Sequence, residues 1–369
     1  MKYINFVVAI IFAFIYYSVK IPPTEKFNLW LCTFAIPVVF VINIVLFLLY
    51  AVLRRVSAIF YLLPLLFNLQ FVTETYGVKR LYRAETTCSQ DTTAAFSLLS
   101  YNVSGLKKPE HANMHTFGSK DDKDSATYKL RQWILENDYD VQCYQEFFDH
   151  TQNSYFKTIE AIKKKGYYYF FSKNAGANGD AVGLLTVSRF PIVNKGNILI
   201  SDNGFNRVIY TDIKIGPDTV RVINVHLESM RMKKDNPLYT DDRDAQKHRV
   251  KVILHKLKDG VFERSKQVEE VLAVIDTSSH PVVCAGDFNE LPYSYTYHSL
   301  RKELKNSFEE KGKGFGFSYN GNTLQFLRID NQFFSSGLDV VDFETRQDVT
   351  YSDHFPLAGK YALCREQPE

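Results

Sequence analysis

The chain has 369 residues, of which 46% are hydrophobic and 15% aromatic, and its formal net charge is +3. That length suits one large domain with an accessory segment, and the aromatic content supplies a sizeable core. Low-complexity segments and internal repeats are absent from the sequence, which excludes a disordered chain and a repeat array.

Three uncharged runs occupy the N-terminal part. They lie between Lys2 and Lys20, between Lys26 and Arg54, and between Arg55 and Glu74. About 20 apolar residues suffice for a helix to cross a bilayer. We therefore predict three transmembrane helices within a membrane anchor at residues 1–84. A cleaved signal peptide is the alternative for the first run, although no small-residue cleavage site follows it. A buried core helix is the alternative for the third run, which is short and contains Pro64.

The net charge differs between the predicted membrane anchor and the rest of the chain. Residues 1–84 carry eight Lys and Arg against two Asp and Glu, a net charge of +6, whereas the remainder carries 36 against 39, a net of −3. The basic stretch Val78–Arg83 suits anionic lipid headgroups. Three crossings would put the N-terminus and the soluble part on opposite sides. The positive-inside rule gives no clean orientation, although a raw count favours a cytoplasmic soluble part.

From about Ala94 onward, strand-like and helix-like stretches alternate, which favours a layered α/β fold. The predicted strands are 96–103, 140–147, 182–193, 207–215, 219–227, 281–288 and 326–336. The predicted helices are 126–137 and 264–278, both with i, i+3, i+4 apolar spacing. Cys143 and Cys284 lie in strand-like runs and are predicted to be small core residues. The spacing of the five cysteines indicates neither a zinc site nor a disulfide framework.

Polar residues recur where these strands end. They are Asn102, Glu146, Asn224, His226, Asp287, Asn289, Asp330, Asp353 and His354. Each has a structural explanation when taken alone; the "GDFN" of Gly286–Asn289, for example, is typical of a turn. Because strand ends meet at one edge of a sheet, six such ends together predict a catalytic site there.

The series "GDFN", "RID" and "SDH", preceded by "RSKQVEEVLAVI", resembles the endonuclease/exonuclease/phosphatase superfamily, the deoxyribonuclease-like metal-dependent phosphoesterases. The likeness covers about Ala94 to Leu363 and implies a catalytic domain at 94–365. It also implies an α/β four-layer sandwich, in which helices flank two packed mixed β-sheets. The N-terminus is similar to that of membrane-anchored bacterial members, which implies a multi-pass protein of the bacterial cytoplasmic (inner) membrane. One departure is the long charged insertion Ser229–Gly260, a candidate lid, substrate cap or partner surface.

The resemblance also implies a divalent cation, Mg²⁺ or Mn²⁺, held by oxygen ligands. Glu146 would be the principal metal ligand, with Asn102 and Asp353 beside it. These residues offer carboxylate and carboxamide oxygens, which hard cations prefer.

The catalytic roles follow from the same resemblance. Asp287 would orient or deprotonate the attacking water, and Asn289 would hold a phosphoryl oxygen. His354 is the other candidate base, and Asp330 would fix its tautomer. His226 would donate to a phosphoryl oxygen or to the leaving group. The sequence leaves open whether Asp287 or His354 takes the proton, because burial decides their pKa values.

The sequence therefore favours a membrane-anchored, metal-dependent hydrolase of phosphate monoesters or diesters. The expected partners are a phosphoester substrate (lipid, small molecule or nucleic acid) and membrane lipids at the anchor, with no protein partner. A nuclease is the first alternative, since the motifs suit it equally well. A non-catalytic membrane scaffold is the second, because a fold alone does not assign an activity.

Overall fold

The computed structural model describes residues 2–67, 69–78, 95–106, 126–151, 156–176, 179–202, 204–229, 243–321 and 327–364. The chain forms two compact units. The first comprises Met1–Tyr76, Met230–Val268 and Leu291–Lys302, and the second comprises Gly77–Ser229, Glu269–Glu290 and Glu303–Glu369. The basic stretch at Val78–Arg83 and the first part of the Ser229–Gly260 insertion lie largely outside the described residues.

The N-terminal helices are α1 (Lys2–Tyr17), α2 (Phe27–Trp30), α3 (Ile36–Val52), α4 (Ile59–Phe67) and α5 (Gln70–Thr75). Two helical segments are long and apolar enough to cross a membrane, Tyr3–Lys20 and Phe27–Val52. Less than a third of each is buried, whereas a core helix of a soluble protein is mostly buried. A signal sequence passes the same test of length and composition.

The prediction of a third spanning helix between Arg55 and Glu74 is wrong. The apolar helix found there, Val56–Leu66, is shorter than a crossing, because a helix rises only about 1.5 Å per residue. Pro64 lies inside α4, where a proline removes a backbone hydrogen bond and disturbs the helix. Two candidate spans therefore remain among the described residues.

The second unit contains two six-stranded mixed sheets flanked by helices, an α/β fold as expected. The strands of the first sheet are β1 (Ala95–Asn102), β2 (Val141–His150), β3 (Tyr168–Ala175), β4 (Asp180–Ser188), β11 (Leu338–Thr345) and β12 (Leu357–Leu363), in the order β11-β12-β1-β2-β4-β3. The strands of the second sheet are β5 (Ile192–Ile200), β6 (Arg207–Ile215), β7 (Asp218–His226), β8 (Val282–Asp287), β9 (Lys305–Asn306) and β10 (Asp330–Phe334), in the order β5-β6-β7-β8-β10-β9. In each sheet the two central strands are parallel, and the remaining pairs are antiparallel.

The two sheets share a core. Leu98 and Cys143 of the first sheet and Val222 and Ala285 of the second belong to one buried cluster. The central strand β8, "VVCAGD", is buried along its whole length, which explains its nearly continuous run of apolar residues. Cys143 and Cys284 are fully buried, as predicted. Cys364 is disulfide-bonded, which the cysteine spacing did not indicate.

The remaining helices are α6 (Ala126–Glu136), α7 (Thr158–Lys164), α8 (Arg243–Asp276), α9 (Tyr295–Glu303) and α10 (Ser307–Lys311). Leu130 and Ile134 of α6 and Ile159 and Ile162 of α7 pack in one cluster with the side chains of the first sheet. Helix α8 begins far earlier than the predicted residue 264, so it also contains the second part of the charged insertion.

One predicted strand is divided in the structure. The stretch 182–193 contributes to β4 in the first sheet and to β5 in the second. The chain leaves the first sheet after Ser188 and enters the second at Ile192. Pro191 lies in the crossing, where a residue without an N–H group loses no ladder hydrogen bond. A single apolar run in the sequence cannot reveal this change of sheet.

Candidate active site

The central parallel pairs of the two sheets, β1 with β2 and β7 with β8, position the candidate site. Strand β1 ends at Asn102, β7 at His226 and β8 at Asp287. The antiparallel strand β10 begins at Asp330, which is the register partner of Asp287. Parallel strands present their carboxyl ends at one edge of a sheet, and ligand sites in α/β proteins form there.

A buried hydrogen bond joins the two sheets below this edge. Nε2 of Gln145 in β2 donates to Oδ1 of Asn224 in β7 at 2.8 Å. Nδ2 of Asn224 donates to the carbonyl oxygen of Leu185 in β4 at 3.1 Å. Both amide side chains are fully buried. Asn224 therefore holds the sheets together and does not face the candidate site.

Glu146 lies within β2 and not at its end, because the strand continues to His150. The register between β2 and β4 shifts between Tyr144 and Phe147, which marks a β-bulge. Glu146 itself has φ +50°, a left-handed conformation that costs a non-glycine residue about 1–2 kcal/mol. Bulges redirect side chains next to active sites. Here the bulge turns Glu146 outward, and its side chain is 41% exposed.

Asn102 lies between two carboxylates. Its Nδ2 atom is 3.0 Å from Oδ2 of Asp287 and 3.3 Å from Oε1 of Glu146, and its Oδ1 atom accepts from the backbone N–H of Ser104 at 3.0 Å. In this orientation the NH₂ group of Asn102 faces the carboxylates and fixes their separation. A ligand role for Oδ1 requires the carboxamide to rotate, so that role stays a prediction.

Strand β8 ends with Gly286 and Asp287, and the chain bends directly afterwards at Asn289. A Cβ atom at Gly286 would lie 2.0 Å from the carbonyl oxygen of Val225. Oδ1 of Asp287 accepts from the backbone N–H of Asn289 at 2.8 Å. Asn289 has φ +52°, and its Nδ2 donates to the carbonyl oxygen of Leu227 at 3.0 Å. These hydrogen bonds therefore fix the side chains of Asp287 and Asn289.

Asp330 and His354 are in direct contact. Oδ2 of Asp330 lies 2.8 Å from Nδ1 of His354, and both residues are buried. Burial lowers the pKa of His354, but the charges of Asp330 and Asp287 outweigh burial and raise the pKa to about 10. Burial raises the pKa of Asp330 to about 6, against the opposing charge of His354. Nε2 of His354 lies 3.8 Å from Oδ2 of Asp287, so the pair faces the centre of the site.

His226 faces the same centre from the second sheet. Its Nε2 atom lies 3.6 Å from Oε1 of Glu146 and 3.9 Å from Oδ2 of Asp287. The residue is 3% exposed. Its Nδ1 atom is buried and has no hydrogen-bond partner in the described part of the chain.

Two residues near the pair were not predicted from the sequence. The ring of Tyr319 meets the ring of His354 edge-on, with centroids 5.1 Å apart. Burial raises the pKa of Tyr319, and the charges of Asp353, Asp287 and Glu146 raise it further. The Oγ atom of Ser318 accepts from the backbone N–H of Asp330 at 3.0 Å. The only sequence feature that could have indicated Ser318 and Tyr319 is the position of "FSYN" upstream of "RID". By itself that stretch contains no recognisable catalytic motif.

Asp353 is half-buried on the loop before β12. Ser352 holds this loop against β1, because its Oγ donates to the carbonyl oxygen of Asn102 at 2.8 Å. The charge of Asp353 acts on Tyr319 together with those of Asp287 and Glu146. Asp353 therefore lies beside the site, although its side-chain hydrogen bond is to Ser352.

These carboxylates fit a divalent cation by their chemistry and charge. Glu146, Asp287, Asp330 and Asp353 offer hard oxygen donors. Within the described ranges, the ion pairs of Glu146, Asp287 and Asp330 are with histidines, and no lysine or arginine pairs with any of the four. Carboxylates that share a site repel one another, and a bound cation would offset that repulsion.

A different group has the most compact ligand geometry in the described structure. One ligand atom each from Asp287, Asp330 and His354 lies within 4.8 Å of the others. None of these three belongs to the predicted metal set of Asn102, Glu146 and Asp353, and all three were predicted to be catalytic. Asp330 and His354 are already hydrogen-bonded to each other, an arrangement that suits a shared proton.

The sequence model of the Endonuclease/Exonuclease/phosphatase family matches residues 99–354. A comparison with curated proteins found no match.

Three solved structures illustrate the structural likeness. The endonuclease/exonuclease/phosphatase from Beutenbergia cavernae DSM 12333 is 15% identical, with a TM-score of 0.49, over 73% of this chain and 72% of its own. Humanized D. rerio TDP2 is 17% identical, with a TM-score of 0.48, over 73% of this chain and 99% of its own. The human Nocturnin catalytic domain is 14% identical, with a TM-score of 0.49, over 77% of this chain and 99% of its own.

Proposed function

The chain belongs to the endonuclease/exonuclease/phosphatase family, and from this membership we propose that it is a divalent-metal-dependent phosphoesterase anchored in a membrane. The family's members are hydrolases that act on phosphoester bonds. The observation that carries the proposal is the convergence of Glu146, Asp287, Asp330 and His354 at one edge of the two sheets. A scaffold has no need for three buried ionisable side chains beside a partly exposed carboxylate.

The cation would be held by Glu146, with Asp353 and a rotated Asn102 beside it. When bound, it supplies a positive charge that stabilises the phosphoryl oxygens and lowers the pKa of a water. Its identity, Mg²⁺ or Mn²⁺, is part of the proposal.

The residues around Asp287 activate and orient the water. Asp330 accepts from Nδ1 of His354, which leaves Nε2 free to face Asp287 and the reacting group. Asp287 is fixed by Asn102 and by the backbone of Asn289, so its carboxylate is preorganised to hold the nucleophile. We assign the orienting role to Asp287 and the proton transfer to the Asp330–His354 pair.

His226 and Asn289 face the phosphoryl group in this scheme. The Nε2 atom of His226, close to Glu146 and Asp287, donates to a phosphoryl oxygen or to the leaving oxygen. The Nδ2 atom of Asn289 donates one hydrogen to Leu227 and keeps a second hydrogen for a phosphoryl oxygen.

The membrane part of the proposal rests on the segments Tyr3–Lys20 and Phe27–Val52. Two crossings place the N-terminus and the segment after Val52 on the same side of the bilayer, whereas three would separate them. Multi-pass insertion in a bacterial inner membrane makes the full chain resist alkaline carbonate extraction. Release of the full chain into the soluble fraction, or removal of its N-terminus in the mature protein, would contradict the anchor.

The substrate we favour is a membrane-proximal or small phosphoester, because tethering raises the local concentration of lipid headgroups and residues 85–369 carry a net charge of −3. Duplex-binding proteins usually present a basic face. The basic run Lys163–Lys165 is engaged within the protein. Lys163 lies over the ring of Tyr169, Lys164 pairs with Glu160, and Lys165 donates to the carbonyl oxygen of Leu135.

The activity is tested on the full chain in detergent. Phospholipids, simple phosphomonoesters and plasmid DNA are compared at matched magnesium and near-physiological salt. We expect turnover of a phospholipid or phosphomonoester, and loss of it in His354→Gln. The matched control is His255→Gln, which changes an exposed histidine of α8. Efficient plasmid nicking without turnover of the other substrates would support the alternative that the protein is a nuclease. No turnover of any substrate would support the alternative that it is a non-catalytic scaffold.

A further inference from the structure

A second cavity-forming region lies on the face of the first sheet that packs against α7, at the edge strand β3. The cavity has a volume of about 400 Å³, within the range of about 300–1,000 Å³ that is typical of small-molecule sites. Tyr169, Phe171 and Lys173 line it from β3, because alternate residues of a strand face the same side. The described residues that line this cavity are separate from those of the candidate active site.

The two carboxylates in the lining are both engaged within the protein. Oδ1 of Asp149, a buried residue, accepts from the backbone N–H of Ile159 at 3.0 Å. Glu160 pairs with Lys164, which lies outside the lining, at 2.8 Å. It also pairs more loosely with Lys157 of the lining, at 3.7 Å. The negative charges at the cavity are thus already partnered.

Two further lysines of the lining have aromatic rings as partners. Nζ of Lys163 lies 5.4 Å from the ring centroid of Tyr169, and Nζ of Lys173 lies 5.7 Å from that of Phe171. Among the described residues, neither ammonium group forms an ion pair with a carboxylate. Each ammonium group has three N–H donors, so donors remain for a ligand even where Lys163 also bonds the side chain of Tyr169.

We propose that this cavity binds a nucleoside phosphate, with its phosphate on Lys163 and Lys173 and its base against the aromatic floor formed by Tyr169 and Phe171. Lysine binds phosphate as a point charge. The described lining holds three lysines and no arginine, so it lacks the planar fork that suits a carboxylate. Aromatic rings stack on nucleobases whatever their identity. The site depends on neither the proposed phosphoesterase activity nor the membrane anchor.

Binding is measured by isothermal titration calorimetry on the full chain in detergent, with ADP, adenosine and inorganic pyrophosphate as probes. Excess chelator prevents metal-dependent turnover at the candidate active site, so a failure of the proposed function leaves this test intact. We expect ADP to bind most tightly, because ADP alone offers both a base and phosphates. Equal affinity for adenosine refutes the phosphate contact, and equal affinity for pyrophosphate refutes the base contact. No binding of ADP overturns the site.

Lys173→Gln locates the phosphate. The change removes the ammonium group, so we expect the binding of ADP and of pyrophosphate to weaken about 10-fold, the lower range for losing a hydrogen bond to a charged group. Lys195→Gln is the matched control. Lys195 of β5 lies over the ring of Phe170 in the same way, with Nζ 5.5 Å from the centroid, and is not part of the lining. Equal weakening in both variants would assign the effect to the net charge of the protein and refute the site.

Phe171→Leu separates the base from the phosphate. Leucine keeps an apolar side chain but cannot stack, so we expect ADP binding to weaken at least about 5-fold and pyrophosphate binding to be retained. Phe170→Leu is the control, because neighbouring residues of a strand point to opposite faces. Unchanged ADP binding in Phe171→Leu, or an equal loss for ADP and pyrophosphate, would refute the base contact. If Phe171→Leu does not fold, the comparison of ADP with pyrophosphate on the wild type decides.

Discussion

The Nδ1 atom of His354 lies 2.8 Å from Oδ2 of Asp330, and both residues are almost completely buried. This hydrogen bond joins β10 to the loop before β12, and thus the second sheet to the first. It leaves Nε2 of His354 as the ring nitrogen that faces Asp287.

The Asp330–His354 pair should act as a unit. Asp330→Asn leaves His354 without its charged acceptor, and His354→Gln removes the imidazole itself. We expect each single change to lower kcat by about 10²–10⁴-fold and the double change to cost little more than either one. A double-mutant cycle on the cleaved phosphoester measures this coupling. Additive losses would mean that the residues act independently.

Removal of divalent metal should abolish activity, and so should loss of the principal ligand. Glu146→Gln keeps the size of the side chain and removes its charge, so we expect turnover to fall at least about 10²-fold and the magnesium concentration at half-maximal rate to rise. Activity is followed during chelator titration and magnesium add-back. Glu344→Gln is the control, because Glu344 is exposed on β11. Full turnover after exhaustive chelation would eliminate the metal mechanism.

Gly286→Ala should destabilise the second unit. The added methyl group would lie 2.0 Å from the carbonyl oxygen of Val225 in the neighbouring strand, so β7 and β8 must separate. We expect a loss of several kcal/mol, at the upper end of single substitutions. Gly216→Ala is the control, since it also has a positive φ but meets nothing within 4 Å, and about 1–2 kcal/mol is expected there. Equal denaturant midpoints for the two variants would argue against the close strand approach.

His298 in α9 should weaken the protein in mild acid. Burial lowers the pKa of His298 to about 4, with the positive charges of Lys302, Lys20 and Arg301 adding to the effect. The unfolded chain therefore binds a proton at His298 between about pH 6.5 and pH 4, and the folded chain does not. Stability from this group is present above pH 6.5 and falls as the pH drops toward 4.

The measurement is the thermal midpoint of the full chain at pH 7 and at pH 4.5. We expect His298→Gln to lose less stability than the wild type over this interval, because its side chain cannot take up the proton. His255→Gln, at an exposed position of α8, should follow the wild type. The same pH dependence in all three proteins would assign the acid sensitivity to other groups.

The sequence predicted the α/β fold because strand-like runs, helix-like runs and "GDFN", "RID" and "SDH" are local patterns. It did not predict the bulge at Glu146, because nothing in "CYQEF" differs from a regular strand. The division of residues 182–193 between two sheets and the approach of Tyr319 to His354 are set by tertiary contacts. The third apolar run is similar in composition to the first two, and only its helix length separates it from them.

The left-handed backbone of Glu146 connects the activity of this site to the stability of the protein. A glycine at this position would adopt φ +50° without the strain of about 1–2 kcal/mol that Glu146 bears, against an entropic cost of about 0.5–1 kcal/mol. It would also remove a carboxylate from the neighbourhood of Asp287. An inactive Glu146→Gly protein should thus be at least as stable as the active one. Selection for thermal stability alone would allow Glu146 to be replaced by glycine, and only selection for catalytic turnover retains the glutamate.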